Sequence, residues 1–440
     1  MSTVSITKKV PVVGKYDVIV CGAGSAGWIA AVTAARLGCK TALVERFGFF
    51  GGTATAGLVV PISGFFLNGH QVVGGIPFEF VKRMETAGSA IFEMPRGRIS
   101  YDPEVYKLIS QQMILEAGVD VYSNSYLSDC VTVNGRVTTV VIENKNGSEA
   151  LAADCFIDAT GDGDLCRMAG VDFLPSDRSA LQPMSLCFVI DGVDISTELL
   201  KNCIHHNGKT GPSCNRVIRD CLSEAYEAGD IPQFGGPWFV TTVNGDALAV
   251  NVTRVGADAC DNRSLRDAEF KLREDMFIIF EKLKNTYSEF KNGKIVSSAF
   301  QAGVRETNHI AGYYTLTGED ILQGAMFNDS IALCAHPIDI HSTRDAKQKL
   351  KRLNIPGQIP YRSMISPKSD NIICAGRCIS ADRVAYATVR VQATAMALGQ
   401  AAGVAARVAC NRDICVPDVP NEELLNSLHA VGGITECENF

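Results

Sequence analysis

Residues 16–46 read YDVIVCGAGSAGWIAAVTAARLGCKTALVER, and the order of features in this stretch decides the fold. An apolar strand at Asp17–Cys21 runs into glycines, then an Ala-rich helix, then a second strand at Thr41–Val44 that ends on Glu45. That βαβ order implies a parallel sheet. The glycines Gly22, Gly24 and Gly27 form a GxGxxG placed between strand and helix, where its mechanism requires it. Gly22 permits the tight turn, Gly24 lets a pyrophosphate approach the backbone, and Gly27 allows close helix–strand packing. The positive end of the helix dipole then faces the phosphates. Glu45, 18 residues after Gly27, offers a carboxylate to ribose hydroxyls. The stretch predicts a dinucleotide site.

Further glycine-rich segments favour FAD over NAD. FFGGTAT (Phe49–Thr55) follows Glu45 and suggests backbone amides and threonine hydroxyls close to a bulky ligand. FIDATGDGD (Phe156–Asp164) follows another buried strand, and CAGRCIS (Cys374–Ser380) follows a third. Three separated glycine-rich strand ends suit one long ligand threaded across a sheet. A calcium loop would need further oxygen ligands and a late glutamate. After Asp164 the chain reads LCRMAGVDF, so no metal site is predicted. Ala159, Thr160 and Gly161 are expected to bring the backbone close to FAD. Asp162 is expected to accept ribitol hydroxyls, and Asp164 to cap the next helical turn.

The remaining sequence bounds the class. At 440 residues, with 46% apolar and 20% charged residues, the chain is globular and large enough for one or two domains. A net charge of −7 gives no footprint for nucleic acid or anionic membrane. Sixteen cysteines without a CxxC pair read as buried thiols in a reducing compartment, and none is a predicted catalytic thiol. The N-terminus has no apolar signal region, and the uncharged stretch Val391–Ala406 is too short to span a bilayer, so a cytoplasmic protein is expected.

A helix is predicted at about Pro103–Ala117, and a β-meander around the turns Asn134-Gly135 and Asn146-Gly147. From about Leu174 to Phe300, alternating segments such as MSLCFVI and DALAVNVTRV predict an antiparallel sheet. A long amphipathic helix at about Leu265–Phe290 is expected to open on a Ser264–Asp267 capping box. The predicted fold is α/β: a Rossmann-like FAD-binding domain (16–173 and 301–412) with a parallel sheet and small β-meander. An α+β substrate domain with an antiparallel sheet (174–300) is inserted into it, and 413–440 form a tail.

The chain resembles the FAD-dependent oxidoreductases of the glutathione-reductase-like superfamily, in the branch often labelled xanthan-lyase-like. The matching stretches include DVIVCGAGSAGWIAA, GGTATAG, YDPEVYKLISQQMILEAGV, IDATGDGDL, GVRETNHIAGYYTLTGEDIL, HPIDIH, IPYRSMISPKSDNIICAGRCIS and RVQATAMALGQAAGVAA, running from Val18 to about Ala406. The resemblance implies that Gly22, Gly24 and Gly27 hold the pyrophosphate and Glu45 the adenosine ribose. It places Gly51, Gly52 and Thr53 on the flavin side and Leu127 at the adenine edge. Gly376 and Arg377 would border the ribityl-phosphate, and the helix starting near Val391 would aim its N-terminus at the flavin. Ser25, Ala26, Arg46, Ala54 and Gln392 complete the expected cofactor set.

Polar groups amid apolar segments mark the expected substrate side: Arg305, His336, Asp339, His341, Tyr361 and Arg362. His341 is the expected base, and Arg305 or Arg362 the expected substrate anchor. The expected reaction is hydride transfer from a small hydroxylated or amine-bearing metabolite to flavin N5, with reoxidation by an unknown acceptor. The alternatives are fumarate-reductase-like reduction of an activated alkene and a flavin-bearing nucleic-acid-modification subunit. No nucleic-acid or membrane partner is expected, and a homo-oligomer is compatible. Two departures from relatives stand out. Arg305-Glu306-Thr307-Asn308-His309 replaces Arg-Glu-Ser-Arg-Arg, and Ala385-Tyr386-Ala387 replaces Ala-His-Gly.

Overall fold

Val44, Cys21, Asp158 and Cys374 end four neighbouring parallel strands side by side, and every glycine-rich segment follows one of these ends. The computed structural model describes residues 3–436 apart from 5–6, 95–96, 201–212, 215, 246 and 343–347. Its main sheet contains β1 (Val12–Cys21), β2 (Thr41–Val44), β3 (Asp120–Tyr122), β4 (Tyr126–Val133), β5 (Arg136–Asn144) and β6 (Gly147–Asp158) in the order β3-β2-β1-β6-β5-β4. Near the C-terminus, β12 (Ile372–Cys374) adds beside β6 in parallel. The first half of β6 pairs antiparallel with β5 and its last three residues pair parallel with β12. One long strand therefore joins the meander to the nucleotide sheet.

Val18, Ile19, Val20 and Cys21 are fully buried, as expected for a parallel strand covered on both faces. Val18 and Val20 face a helical layer, whereas Ile19 and Cys21 enter a second core beneath the meander. In the helical layer, α1 (Ser25–Arg36) packs against α5 (Gln392–Arg412) through small residues. A Cβ on Gly399 would lie 2.0 Å from the Ala26 carbonyl oxygen, and one on Gly403 2.6 Å from that of Ala30. This explains the long Ala/Gly run: it is a buried helix set almost backbone-to-backbone on α1. Among the described residues no helix is long and apolar enough to cross a membrane.

A second sheet is built from β7 (Phe188–Asp191), β8 (Phe234–Thr241), β9 (Ala247–Thr253) and β10 (Lys294–Ser298), with a two-residue edge strand at 213–214. Its core runs from Met184 to Ala302 and includes Leu272, Met276, Ile279 and Leu283 of helix α3 (Asn262–Thr286). The Asp261 carboxylate, not a Ser264–Asp267 box, caps this helix by accepting the Ser264 N–H at 2.7 Å. Ser264 Oγ instead accepts the Asp258 N–H. The helix also ends at Thr286, and Ser288–Phe290 form a separate 3-10 turn. Cys21, Cys374 and Cys378 are buried free thiols, with burial pushing Cys21 and Cys374 well above the usual thiol range; Cys203 and Cys437 lie outside the described residues.

Candidate active site

A cavity of about 980 Å³ opens along the four strand ends and continues to the second sheet. The first glycine turn lines it with Gly22, Gly24, Ser25 and Ala26. A Cβ on Gly22 would meet the Ala159 carbonyl oxygen at 2.6 Å, so the turn lies directly against the β6 segment. A Cβ on Gly24 would meet no protein atom within 4 Å, which is the room a ligand needs to reach this backbone. Glu45, Arg46, Gly52, Thr53 and Leu127 follow along the wall, then Ala159, Thr160, Gly161, Gly376 and Arg377. Val391 and Gln392 close this half.

Four expected cofactor residues do not line the cavity. Gly27 serves packing, since a Cβ there would sit 1.8 Å from the Gly22 oxygen. Gly51 donates its N–H to the Ala23 carbonyl at 2.9 Å, tying one loop to the other. Ala54 is fully buried, and its carbonyl accepts the Tyr101 hydroxyl. Asp162 turns away: one carboxylate oxygen accepts from Arg377 at 2.6 Å and from Thr307 at 2.8 Å.

Asp164 faces the cavity instead, and burial, with repulsion from Asp162, pushes its carboxyl up to about 6. It makes no side-chain cap, and Asp162 supplies none in its place. The capping carboxylate is Asp158, which sequence reasoning passed over as the last strand residue. It accepts Thr160 N–H at 3.1 Å, Thr160 Oγ1–H at 2.8 Å and Cys166 N–H at 2.9 Å. Glu45 accepts Ala23 N–H at 2.6 Å and Phe47 N–H at 3.0 Å, bracing the glycine turn from below.

This half of the cavity fits a dinucleotide. Neither α1 nor α5 has a side-chain cap at its N-terminus. Gln392 donates to the Val59 carbonyl at 2.7 Å, but its Oε1 is buried with no hydrogen-bond partner. An acceptor left so at a helix N-terminus calls for a ligand donor.

The other half lies between β11 (Ile338–His341), Arg390 just after the helix α4 (Arg383–Val389), and the second sheet, whose Trp238 and Val240, with Cys187 just before β7, form an opposing wall. Arg305, His336, Asp339, His341 and Arg390 line it. Arg254 Nη2 lies 3.0 Å from His341 Nδ1, and Asp339 Oδ2 lies 3.0 Å from Nε2. A guanidinium only donates, so Nδ1 must accept and Nε2–H must donate to Asp339. Both ring nitrogens of His341 are therefore occupied, which removes the free lone pair its expected role as base requires. Burial and the nearby Arg305 charge depress its pKa to about 3.

His336 has the complementary arrangement. Its Nδ1 lies 2.6 Å from the Pro337 carbonyl, an acceptor only, so Nδ1 carries the proton and Nε2 keeps its lone pair. Burial lowers its pKa to about 4, against the pull of Asp339. Burial alone would raise the Asp339 carboxyl, but the hydrogen bond from His341 and the nearby Arg390 charge hold it well below the usual range.

Tyr361 and Arg362 do not reach the cavity. The Tyr361 hydroxyl donates to the Val416 carbonyl at 2.9 Å, and Arg362 pairs with Asp329 on a half-exposed surface. Tyr386 is also outside: it is buried edge-on against His309, and its hydroxyl donates to the Arg305 carbonyl. The replacement of histidine by Tyr386 thus braces the Arg305 segment. Glu306 accepts Gln182 N–H and neighbours His309, not Arg305.

Arg254 and Arg390 were missed in the sequence. Arg254 had a signal: Leu248, Val250, Val252 and Arg254 share the period of two, and all four are buried, so the apolar face of a strand ends in a charge.

A family profile described as FAD dependent oxidoreductase matches residues 17–428. Digeranylgeranylglycerophospholipid reductase 2 of Methanothermobacter thermautotrophicus is 28% identical over 198 residues, 42% of this chain and 50% of the relative. Dihydrolipoyl dehydrogenase of Trypanosoma brucei brucei is 54% identical over 43 residues, 10% of this chain and 9% of the relative. The chain thus matches half or less of the length of these curated relatives. A solved geranylgeranyl bacteriochlorophyll reductase-like protein from Thermoplasma acidophilum aligns with TM-score 0.50 at 14% identity, covering 95% of this chain and 83% of that one. Flavin-dependent brominase Bmp2 gives 0.50 at 12% identity, covering 94% and 83%. These structural likenesses are of fold. The profile, by contrast, spans the strand ends, the cavity and both sheets, and the chain belongs to the family of FAD-dependent oxidoreductases.

Proposed function

We propose that the protein oxidises a small polar metabolite by hydride transfer to FAD, with His336 as the base. The observation that carries this reading is the continuity of one cavity from the glycine turns to His336 Nε2. FAD, when bound, supplies the two-electron acceptor. In this reading Gly22, Gly24, Ser25 and Ala26 hold its pyrophosphate, Glu45 and Arg46 flank the ribose, and Gln392 at the α5 N-terminus meets the flavin. The 174–300 segment acts as the substrate domain. The eight motifs of the resemblance support placement in the xanthan-lyase-like branch.

His336 takes the proton that a hydroxyl or amine must lose as its carbon gives up hydride. Asp339 then stabilises the imidazolium through space. His341 is a positioning residue: held by Arg254 and Asp339, it fixes the carboxylate that serves His336. Cys187, Trp238 and Val240 give that end a largely apolar wall.

Reduction of an activated alkene is the second reading, favoured by the arginines around His336 and by the reductase among the relatives. Anaerobic mixing separates the two. A substrate of the first reading bleaches the visible absorbance of oxidised enzyme, whereas an alkene substrate restores it in chemically reduced enzyme. A protein that stays colourless after incubation with FAD overturns both. His336→Gln is expected to stay yellow and lose turnover by about 10²-fold or more; unchanged turnover would remove His336 as the base.

A further inference from the structure

We infer that the half of the cavity around His336 binds a carboxylate, which makes the substrate a small organic acid. This rests on the oxidoreductase reading of the same cavity and specifies its substrate class.

Among the described residues, Arg98, Arg305, Arg352 and Arg390 line this half, and Asp339 is the acidic residue beside them. The other acids on the cavity wall, Glu45 and Asp164, belong to the glycine-turn end. Behind the lining, Arg254 is 2% exposed and adds another buried guanidinium. Asp339 already receives the His341 Nε2–H and lies 3.4 Å from Arg390. It cannot also neutralise Arg305, whose guanidinium donates to the neutral Pro183 carbonyl. Among the described residues, Arg305 and Arg390 therefore face one lining carboxylate, with both histidines neutral. Burial and repulsion from Arg390 and Arg254 draw the Arg305 pKa down to about 9, the response of a cation short of counter-charge. Arg390 Nε is also buried with no hydrogen-bond partner.

Unbalanced buried charge is costly, and a bound anion removes the imbalance. A cationic amine would worsen it, and a neutral polyol would leave it unchanged. A carboxylate supplies the charge and two planar acceptors matched to the guanidinium fork. Val240 and Leu353 nearby suit a short hydrocarbon frame.

The test uses FAD-loaded protein and a matched pair of probes, malonate and its neutral diamide malonamide. Binding is followed by calorimetry and by perturbation of the flavin spectrum. Malonate is expected to bind and malonamide not, with malonate binding weakened at least tenfold in Arg390→Gln and partly restored in Arg390→Lys. Equal binding of the two probes, tighter binding of inorganic phosphate than of malonate, or unchanged binding in Arg390→Gln overturns the inference. The comparison of probes on the unmodified protein decides the question if a variant does not fold. Yellow protein indifferent to malonate sinks only the carboxylate site, whereas colourless protein sinks the oxidoreductase reading beneath it.

Discussion

His336 and His341 sit five residues apart in HPIDIH, yet their hydrogen bonds give them opposite chemistry. The sequence shows two histidines and an aspartate; it does not show that Arg254, 87 positions before His341, occupies one ring nitrogen. The same long-range pairing decides the aspartates of ATGDGD, where Arg377 draws Asp162 out of the cavity. Residue types were legible at these positions, while roles depended on partners distant in the chain. The His336 assignment has a pH signature. A base must be neutral to act, so turnover should be level above its pKa of about 4 and fall tenfold per unit below it. The Asp339 charge raises that pKa, so Asp339→Asn should move the acid limb to lower pH while slowing turnover. A limb that stays in place or moves upward in Asp339→Asn would assign the titration to another group.

At the scale of elements, the glycine turn between β1 and α1 was legible because its function and its packing impose the same local pattern. Its glycines nevertheless do different work, and substitutions separate them. Gly24 has open space at its Cβ position, so Gly24→Val should fold with little change in melting temperature and fail to hold FAD. Gly27→Val places carbon on the Gly22 oxygen and must displace the turn or the helix, so it should lower the melting temperature by several degrees as well as lose the flavin. Melting curves with and without FAD distinguish the two, and a Gly24→Val protein that keeps its flavin would remove the pyrophosphate from this turn. The α3 start was misread for a local reason. Ser264 and Asp267 have capping-box spacing, but Asp261 competes from three residues earlier and reaches the same N–H.

For the whole molecule, the second sheet and the His341 strand meet only in the folded chain, so period-two alternation revealed the sheet but not the wall it forms. That enclosure ties stability to pH. His336 and His341 stay neutral down to about 4 and about 3 in the folded protein, whereas an unfolded chain protonates near 6.5. The unfolded state then holds more protons throughout this window, so each histidine reduces stability as pH falls, by up to about 1.4 kcal/mol per pH unit. Buried Asp158 and Glu45 and half-exposed Asp164 have the opposite sign, since their raised pKa values let the folded state take up protons first. The pH slope of the native protein is the balance of the two groups, and the histidine share is isolated by difference. His341→Gln should be less stable than the native protein at pH 7, where its bonds to Arg254 and Asp339 are weakened. From pH 6.5 toward 4, however, it should lose stability less steeply, so the two denaturation midpoints converge on acidification. Midpoints that run parallel through this window would show that His341 is already protonated in the fold, and would overturn the neutral, doubly bonded ring on which its positioning role depends.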